Sequence, residues 1–190
     1  MFNLHYDTPQ EWVQTVLADF DRFLLDHAAC ERKASANAIS FIVRYPDKPD
    51  LVRTMVNIAQ EEMAHFATVT NLIYERGLLF DKDEKDPYIN ALLQHVRHTT
   101  EEKLIDKLLI FSIVEGRGCE RFHLLATALE EGPLKDLYTD LVRSESQHHI
   151  VGIQLLKGIF PKERWQSRYD ELLEIEGQIV ASLPFRAALH

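Results

Sequence analysis

The chain has little cysteine, glycine or proline. Two cysteines, Cys30 and Cys119, in 190 residues cannot supply a disulfide framework. Seven Gly and seven Pro are few, and runs of β-branched residues are scarce. Turn-rich β architectures are thereby disfavoured, and an all-α protein is expected. No apolar run approaches the roughly 20 residues that cross a bilayer, and the first residues lack the basic and apolar zones of a signal peptide. A soluble protein of the reducing cytoplasm is the expectation. Neither a Gly-rich phosphate cradle nor a nucleophile elbow is present. The net charge of -9 argues against a protein that holds nucleic acid by bulk electrostatics.

What is present is a helical chain. The hydrophobic content of 46% suffices for one well-buried core, so residues 1–190 are read as a single domain. Thr8, Pro9 and Glu11 combine an N-cap, a first-turn proline and an early acid, which places a helix start at Thr8. The helical pattern continues past Glu31 to Ile42, as one helix or as two joined near 18–21. Pro46 and Pro49 break it. A second long helix runs from about Pro49 to Arg76, where Gly77 ends it. A charged connection covers 78–87, including Asp81 to Asp86, and a short helix is expected from Tyr88 to Arg97. A third long helix spans about Thr100 to Glu131, Gly132-Pro133 turns the chain, and a fourth runs to Gly158. Pro161 opens a fifth that fades before Pro184. Two helical hairpins joined by a long connection, with extra terminal helices, make a ferritin-like four-helix bundle.

Charge is unevenly spread. Arg32, Lys33, Arg44, Lys48 and Arg53 cluster, as do Lys157, Lys162, Arg164 and Arg168. Solvated helix faces explain most such clusters, but local basic patches on an acidic body fit as well.

The chemistry lies in Glu-x-x-His units. Residues three apart share a helix face, so a Glu and a His at that spacing can grip one metal ion together. With nine His in the chain, about one such unit is expected by chance. There are three: Glu62-Met63-Ala64-His65, Glu120-Arg121-Phe122-His123 and Glu145-Ser146-Gln147-His148. Position along the chain separates them. Glu62 falls 31 residues after Glu31, and Glu145 falls 30 after Glu115. Antiparallel helices joined by a short loop bring residues at such separations level. Glu31, Glu62, His65, Glu115, Glu145 and His148 are therefore the candidate ligands of a two-metal site. Four carboxylates and two imidazoles suit iron or manganese.

Glu120 rivals Glu115. Cys119-Glu120-Arg121 repeats Cys30-Glu31-Arg32, but only 25 residues separate Glu120 from Glu145. Glu115 lies on an apolar stripe with Leu108, Phe111, Cys119, Phe122 and Ala126, where a carboxylate without compensation is costly. Glu115 is favoured, leaving Glu120 as a partner behind the ligands, a spare ligand or a salt-bridge residue. Glu31 has the apolar neighbours Phe20, Leu24, Ala34, Ala38 and Ile42, and a metal ion would keep it charged there. His27, one turn earlier, reads as a core histidine, with support of Glu31 as the alternative. His149 is out of register with Glu145.

Four segments resemble a known family, the bacterial tRNA 2-methylthio-isopentenyl-adenosine hydroxylases of the ferritin-like superfamily. They are Asp26-His27-Ala28-Ala29-Cys30-Glu31-Arg32-Lys33-Ala34, Glu61-Glu62-Met63-Ala64-His65, Glu115-Gly116-Arg117-Gly118-Cys119-Glu120-Arg121-Phe122 and Arg143-Ser144-Glu145-Ser146-Gln147-His148. The resemblance covers nearly the whole chain, to Pro184-Phe185-Arg186. In the third segment the family usually has Glu-Ala-Arg-Ser-Cys-Glu-Arg-Phe; glycines replace Ala and Ser here, which should loosen that helix. The resemblance implies an enzyme with two iron ions that uses dioxygen and two electrons to hydroxylate the isopentenyl group beside the tRNA anticodon. An external electron-transfer protein would be a partner, the anticodon stem-loop the substrate, and a monomer or dimer the expected assembly. Arg32, Lys33, Arg117 and Arg121 are one to two positions from candidate ligands, so some of them would rim the entrance. The alternative is a ferritin- or rubrerythrin-like protein acting on iron, peroxide or a small molecule. The lack of a Cys-x-x-Cys rubredoxin module weakens its rubrerythrin version.

Overall fold

A computed structural model of the chain describes residues 4–80 and 82–190. Asp81, part of the acidic stretch, and the first three residues lie outside the described set. Among the described residues the elements are α1 (Gln10–Ala18), α2 (Phe20–Arg44), α3 (Pro49–Glu75), α4 (Pro87–Leu93), α5 (Thr100–Ala128), α6 (Pro133–Ile159), a 3₁₀ turn at Lys162–Arg164 and α7 (Gln166–Ser182), with no strand. The chain forms two compact units. One comprises Gln14–Glu84 and Arg186–Leu189; the other comprises the residues up to Val13, Lys85–Phe185 and His190.

The first unit is the α2/α3 hairpin. Asp19 breaks the N-terminal helix in two, and its carboxylate accepts from the Arg22 N–H to start α2. Pro49 opens α3 after a turn of only a few residues. At the other end Gly77 adopts φ 72°, a conformation that a β-carbon disfavours. The Ser35 hydroxyl donates to the Ala59 carbonyl at 2.8 Å and staples the two helices. Leu24, Ala28, Val69 and Ile73 form a core ringed by Phe20, Leu25, Phe66, Leu72, Leu78 and Phe80.

The second unit is the α5/α6 hairpin with α4 and α7 against it. Here α5 and α6 approach closely at Gly152: a β-carbon there would lie 2.2 Å from Ser112 Oγ and 2.7 Å from the Leu108 carbonyl oxygen. Asp86 caps α4 by accepting from the Tyr88 and Ile89 N–H groups. Asp106, fully buried, is clasped by Arg97 and Arg168 at 2.8 and 3.1 Å.

Three boundaries differ from the sequence reading. Helix α1 begins at Gln10 and not at a Thr8 cap, because the Thr8 hydroxyl and N–H both donate to Glu120 at 2.7 and 2.8 Å. Helix α4 ends at Leu93, short of Arg97. Its last turn tightens into three-residue hydrogen bonds, and the Arg97 N–H is diverted to Asp106 at 2.8 Å. Helix α5 ends at Ala128, where Leu129 turns extended ahead of Gly132.

Glycine substitutions should separate close approach from helix propensity. Gly152→Ala is expected to lower unfolding free energy by about 1–3 kcal/mol through overpacking against backbone. Gly118→Ala, whose β-carbon meets nothing within 4 Å, should raise it by about 1 kcal/mol; urea melts distinguish the two signs. Asp86 gives an acid-stability test. Burial pushes its carboxyl up, but His190 and the backbone N–H groups of Ile89 and Tyr88 outweigh burial and hold it at about 2, below the ordinary 3.8. Its contribution is then complete above pH 3.8 and lost as pH falls through 2. Asp86→Asn should flatten that part of the acid-unfolding curve.

Candidate metal centre

Each hairpin carries one Glu, Glu, His set. On the first, Glu31 projects from α2, and Glu62 and His65 project together from α3, three residues apart. Both carboxylates are buried. His65 Nδ1 lies 3.6 Å from Glu31 and 3.5 Å from Glu62, and one ligand atom from each of the three falls within 4.8 Å of the others. On the second, Glu115 of α5 meets Glu145 and His148 of α6 with the same closeness. His148 Nδ1 is 3.1 Å from Glu145, and all three residues are buried.

Glu31 shows how such a carboxylate stays charged. Burial drives its pKa up, but hydrogen bonds from His27 and His65, with the charge of His27, more than reverse this and hold it below the usual carboxylate range. His27 Nε2 donates to Glu31 Oε1 at 2.6 Å within a buried pair. The reading of His27 as a plain core histidine is therefore corrected: it supports and orients Glu31.

The rival residue lies elsewhere. Glu120 accepts from Thr8 and from Arg117 Nη1 at 2.5 Å, so it acts as a salt-bridge residue that ties the N-terminal segment to α5. His123, of the same Glu-x-x-His unit, is exposed. Arg117 is completely buried and grips Glu176 of α7 through two hydrogen bonds of 2.8 and 3.0 Å, and Tyr88 donates to the same carboxylate at 3.1 Å. Arg121 is buried too, with its guanidinium 5.0 Å over the Trp12 ring. Arg117 and Arg121 therefore do not rim an entrance. Only Arg32 and Lys33 of that group are exposed.

Two further readings change. Gly116 does not loosen α5, since it makes room for the His149 ring, whose Nδ1 would stand 2.8 Å from a β-carbon at that position. His149 Nδ1 also bonds to the Ser112 carbonyl at 2.6 Å. Glu176 was not singled out in the sequence. A carboxylate on the apolar stripe Tyr169, Leu172, Leu173, Val180 was the available sign, the same sign that favoured Glu115.

The donor sets suit iron. Each offers two carboxylates and one imidazole, hard oxygens with a borderline nitrogen, and a cation offsets the mutual repulsion of buried carboxylates held so close. Cys119 is not a competing soft ligand. Burial, then the charges of Glu145 and Glu115, push its thiol up to about 12, and its Sγ donates to the Val142 carbonyl.

Known proteins agree with this picture. The solved structure of a Synechococcus protein with aldehyde deformylating oxygenase activity is 30% identical and superimposes with a TM-score of 0.93, covering 98% of this chain and 94% of its own. The protein is thus all-α with a ferritin-like fold, and the paired donor sets on that fold fit iron. Over residues 2–190 the sequence matches the family described as tRNA-(MS[2]IO[6]A)-hydroxylase (MiaE), and the chain belongs to that family. It is 36% identical over 142 residues to the tRNA 2-(methylsulfanyl)-N(6)-isopentenyladenosine(37) hydroxylase of Pseudomonas putida, covering 75% of this chain and 69% of the relative. With the Salmonella typhimurium protein of the same name it shares 27% identity, covering 94% and 84%. Both are named for hydroxylation, neither for iron storage. No helix among the described residues is long and apolar enough to cross a membrane.

The buried ion pair behind the site can be tested directly. Glu176→Gln removes the fully buried one of the two carboxylates that compensate Arg117, leaving Glu120, and should cost up to about 3–5 kcal/mol, whereas replacing both Arg117 and Glu176 by apolar side chains of similar volume should cost far less. Chemical denaturation of the two variants measures the difference.

Proposed function

We propose that this protein hydroxylates the isopentenyl group of 2-methylthio-isopentenyl-adenosine beside the tRNA anticodon, consuming dioxygen and two electrons from an external donor protein. Membership of the hydroxylase family supports the reaction. The observation that carries the reading is that each hairpin presents its own Glu, Glu, His set with both carboxylates buried. Glu31, Glu62 and His65 would hold one iron ion, and Glu115, Glu145 and His148 the other, within one domain. Iron bound there supplies the activation of dioxygen that an unactivated C–H bond requires: one oxygen atom enters that bond, and the other leaves as water with two electrons and two protons.

The protein's own groups supply the setting. His27 holds a proton on Nε2 against Glu31 Oε1, which fixes the direction of that carboxylate before metal arrives. The apolar residues of α5, Phe111 and Phe122 among them, are buried on the helix that carries Glu115 and would help to exclude water from a reacting centre there. Cys119 keeps its proton at neutral pH and leaves the metal to oxygen and nitrogen donors.

Two measurements test the proposal. Iron-loaded protein given prenylated tRNA, dioxygen and a reductant should yield a nucleoside heavier by one oxygen atom on mass spectrometry, and an unchanged nucleoside rejects the reaction. Glu115→Gln should weaken iron binding by at least about 10- to 100-fold, the loss typical when only a group behind a ligand is removed, whereas Glu120→Gln should keep the iron content of the parent. Equal loss in both variants would overturn the ligand assignment.

A further inference from the structure

The acidic chain carries a basic face in its first unit, and an acidic segment of its own covers it. Arg22 and Lys33 lie about three turns apart on one face of α2, with Arg32 beside Lys33. Arg32 Nη2 donates to Asp83 at 2.6 Å and Arg22 Nη2 to Glu84 at 2.6 Å. Lys33 Nζ lies 4.0 Å from Asp83 and 3.4 Å from the Glu84 carbonyl oxygen. These cations are 43–58% exposed, so the pairs sit in water, where carboxylates hold guanidinium groups weakly. The other acids nearby are committed elsewhere: Asp21 to Arg76 at 2.7 Å, and Asp26 to the Leu189 N–H at 2.7 Å.

The position of this face matters. Arg32 directly follows Glu31 and Phe66 directly follows His65, and the Arg32 guanidinium lies 5.8 Å over the Phe66 ring. A cation and an aromatic plane therefore stand one residue outward from two of the proposed ligands. Phe66 in turn meets Phe80, at 5.8 Å between ring centres. Phe80 anchors the connection from α3, while Asp83 and Glu84 beyond it meet α2 through exposed ion pairs and a Lys33 hydrogen bond to the Glu84 carbonyl.

We infer that Arg22, Arg32 and Lys33, with Phe66 beneath, form the docking surface for the phosphodiester backbone and an unstacked base of the anticodon loop, and that Asp83 and Glu84 occupy the phosphate positions until RNA displaces them. This rests on the proposed tRNA hydroxylation. A backbone phosphate fits the guanidinium fork as a carboxylate does, and a run of phosphates engages all three cations at once with release of counterions, which two surface carboxylates cannot match. An unstacked base finds a partner in the guanidinium and aromatic planes. The strap also reconciles a polyanionic substrate with a net charge of -9, since its departure leaves three cations free in one place.

The test is the affinity of the iron-loaded full chain for a synthetic anticodon stem-loop bearing the prenylated adenosine, followed by fluorescence anisotropy across a salt series. Asp83→Asn with Glu84→Gln should tighten binding about 3- to 10-fold. Arg32→Gln with Lys33→Gln should weaken it about 10-fold and reduce the salt slope by about 1–2, at roughly 0.7 per phosphate contact. Glu130→Gln with Glu131→Gln removes the same two charges from an exposed turn and should leave affinity within about 2-fold. Equal tightening in that control, or no change in the strap variant, overturns the inference. If the arginine and lysine variant folds poorly, the strap variant still decides. Failure of the parent chain to bind the prenylated stem-loop removes the tRNA reading itself, whereas binding that ignores both variants removes only this surface.

Discussion

A carboxylate taken out of water must be compensated, and that constraint organises this protein. Burying an isolated charge costs so much that the group takes up a proton instead. Three of the buried acids show the answers. Glu31 has His27 and His65, Asp106 has Arg97 and Arg168, and Glu176 has Arg117 and Tyr88. The answers differ in kind. Arginine neutralises completely and permanently, which suits joints between helices. Imidazole neutralises only when protonated and can give its place to a metal ion, which suits a site.

The division follows the helices. On α5, Glu115 belongs to the metal candidates, while Arg117 and Glu120, two and five residues further on, belong to the joint with α7 and the N-terminal segment. One helix therefore carries a metal-facing acid on one side and a saturated polar clasp on another. The clasp fixes the rotation of α5 about its axis, and that rotation decides where Glu115 points.

Much of this was legible in the sequence. Helix existence and the pairing of Glu31 with the Glu62 unit follow from periodicity and spacing, which are local properties, whereas periodicity left one helix or two open near 18–21 until the Asp19 cap decided it. The choice between Glu115 and Glu120 was not legible from spacing alone, because it depends on where Thr8 and Arg117 spend their hydrogen bonds. Thr8 also illustrates a boundary error with a cause: a residue suited to cap its own helix was recruited by a carboxylate 112 positions away. Arg117 and Arg121 look like surface residues by type, yet are buried by partners that lie far off in the chain. Gly116 looked like a weak point until the His149 ring gave it a tenant.

The protonated state of Cys119 bears on how long such an enzyme lasts. Reactions that reduce dioxygen leak peroxide, and peroxide attacks thiolates far faster than thiols. A sulfur one helical turn from Glu115 would be the first casualty if it ionised. With its pKa near 12 and its proton turned to the Val142 carbonyl, Cys119 offers little to oxidise. Burial, reinforced by the same negative charges that would gather metal, thus protects this sulfur from the hazard of the chemistry beside it.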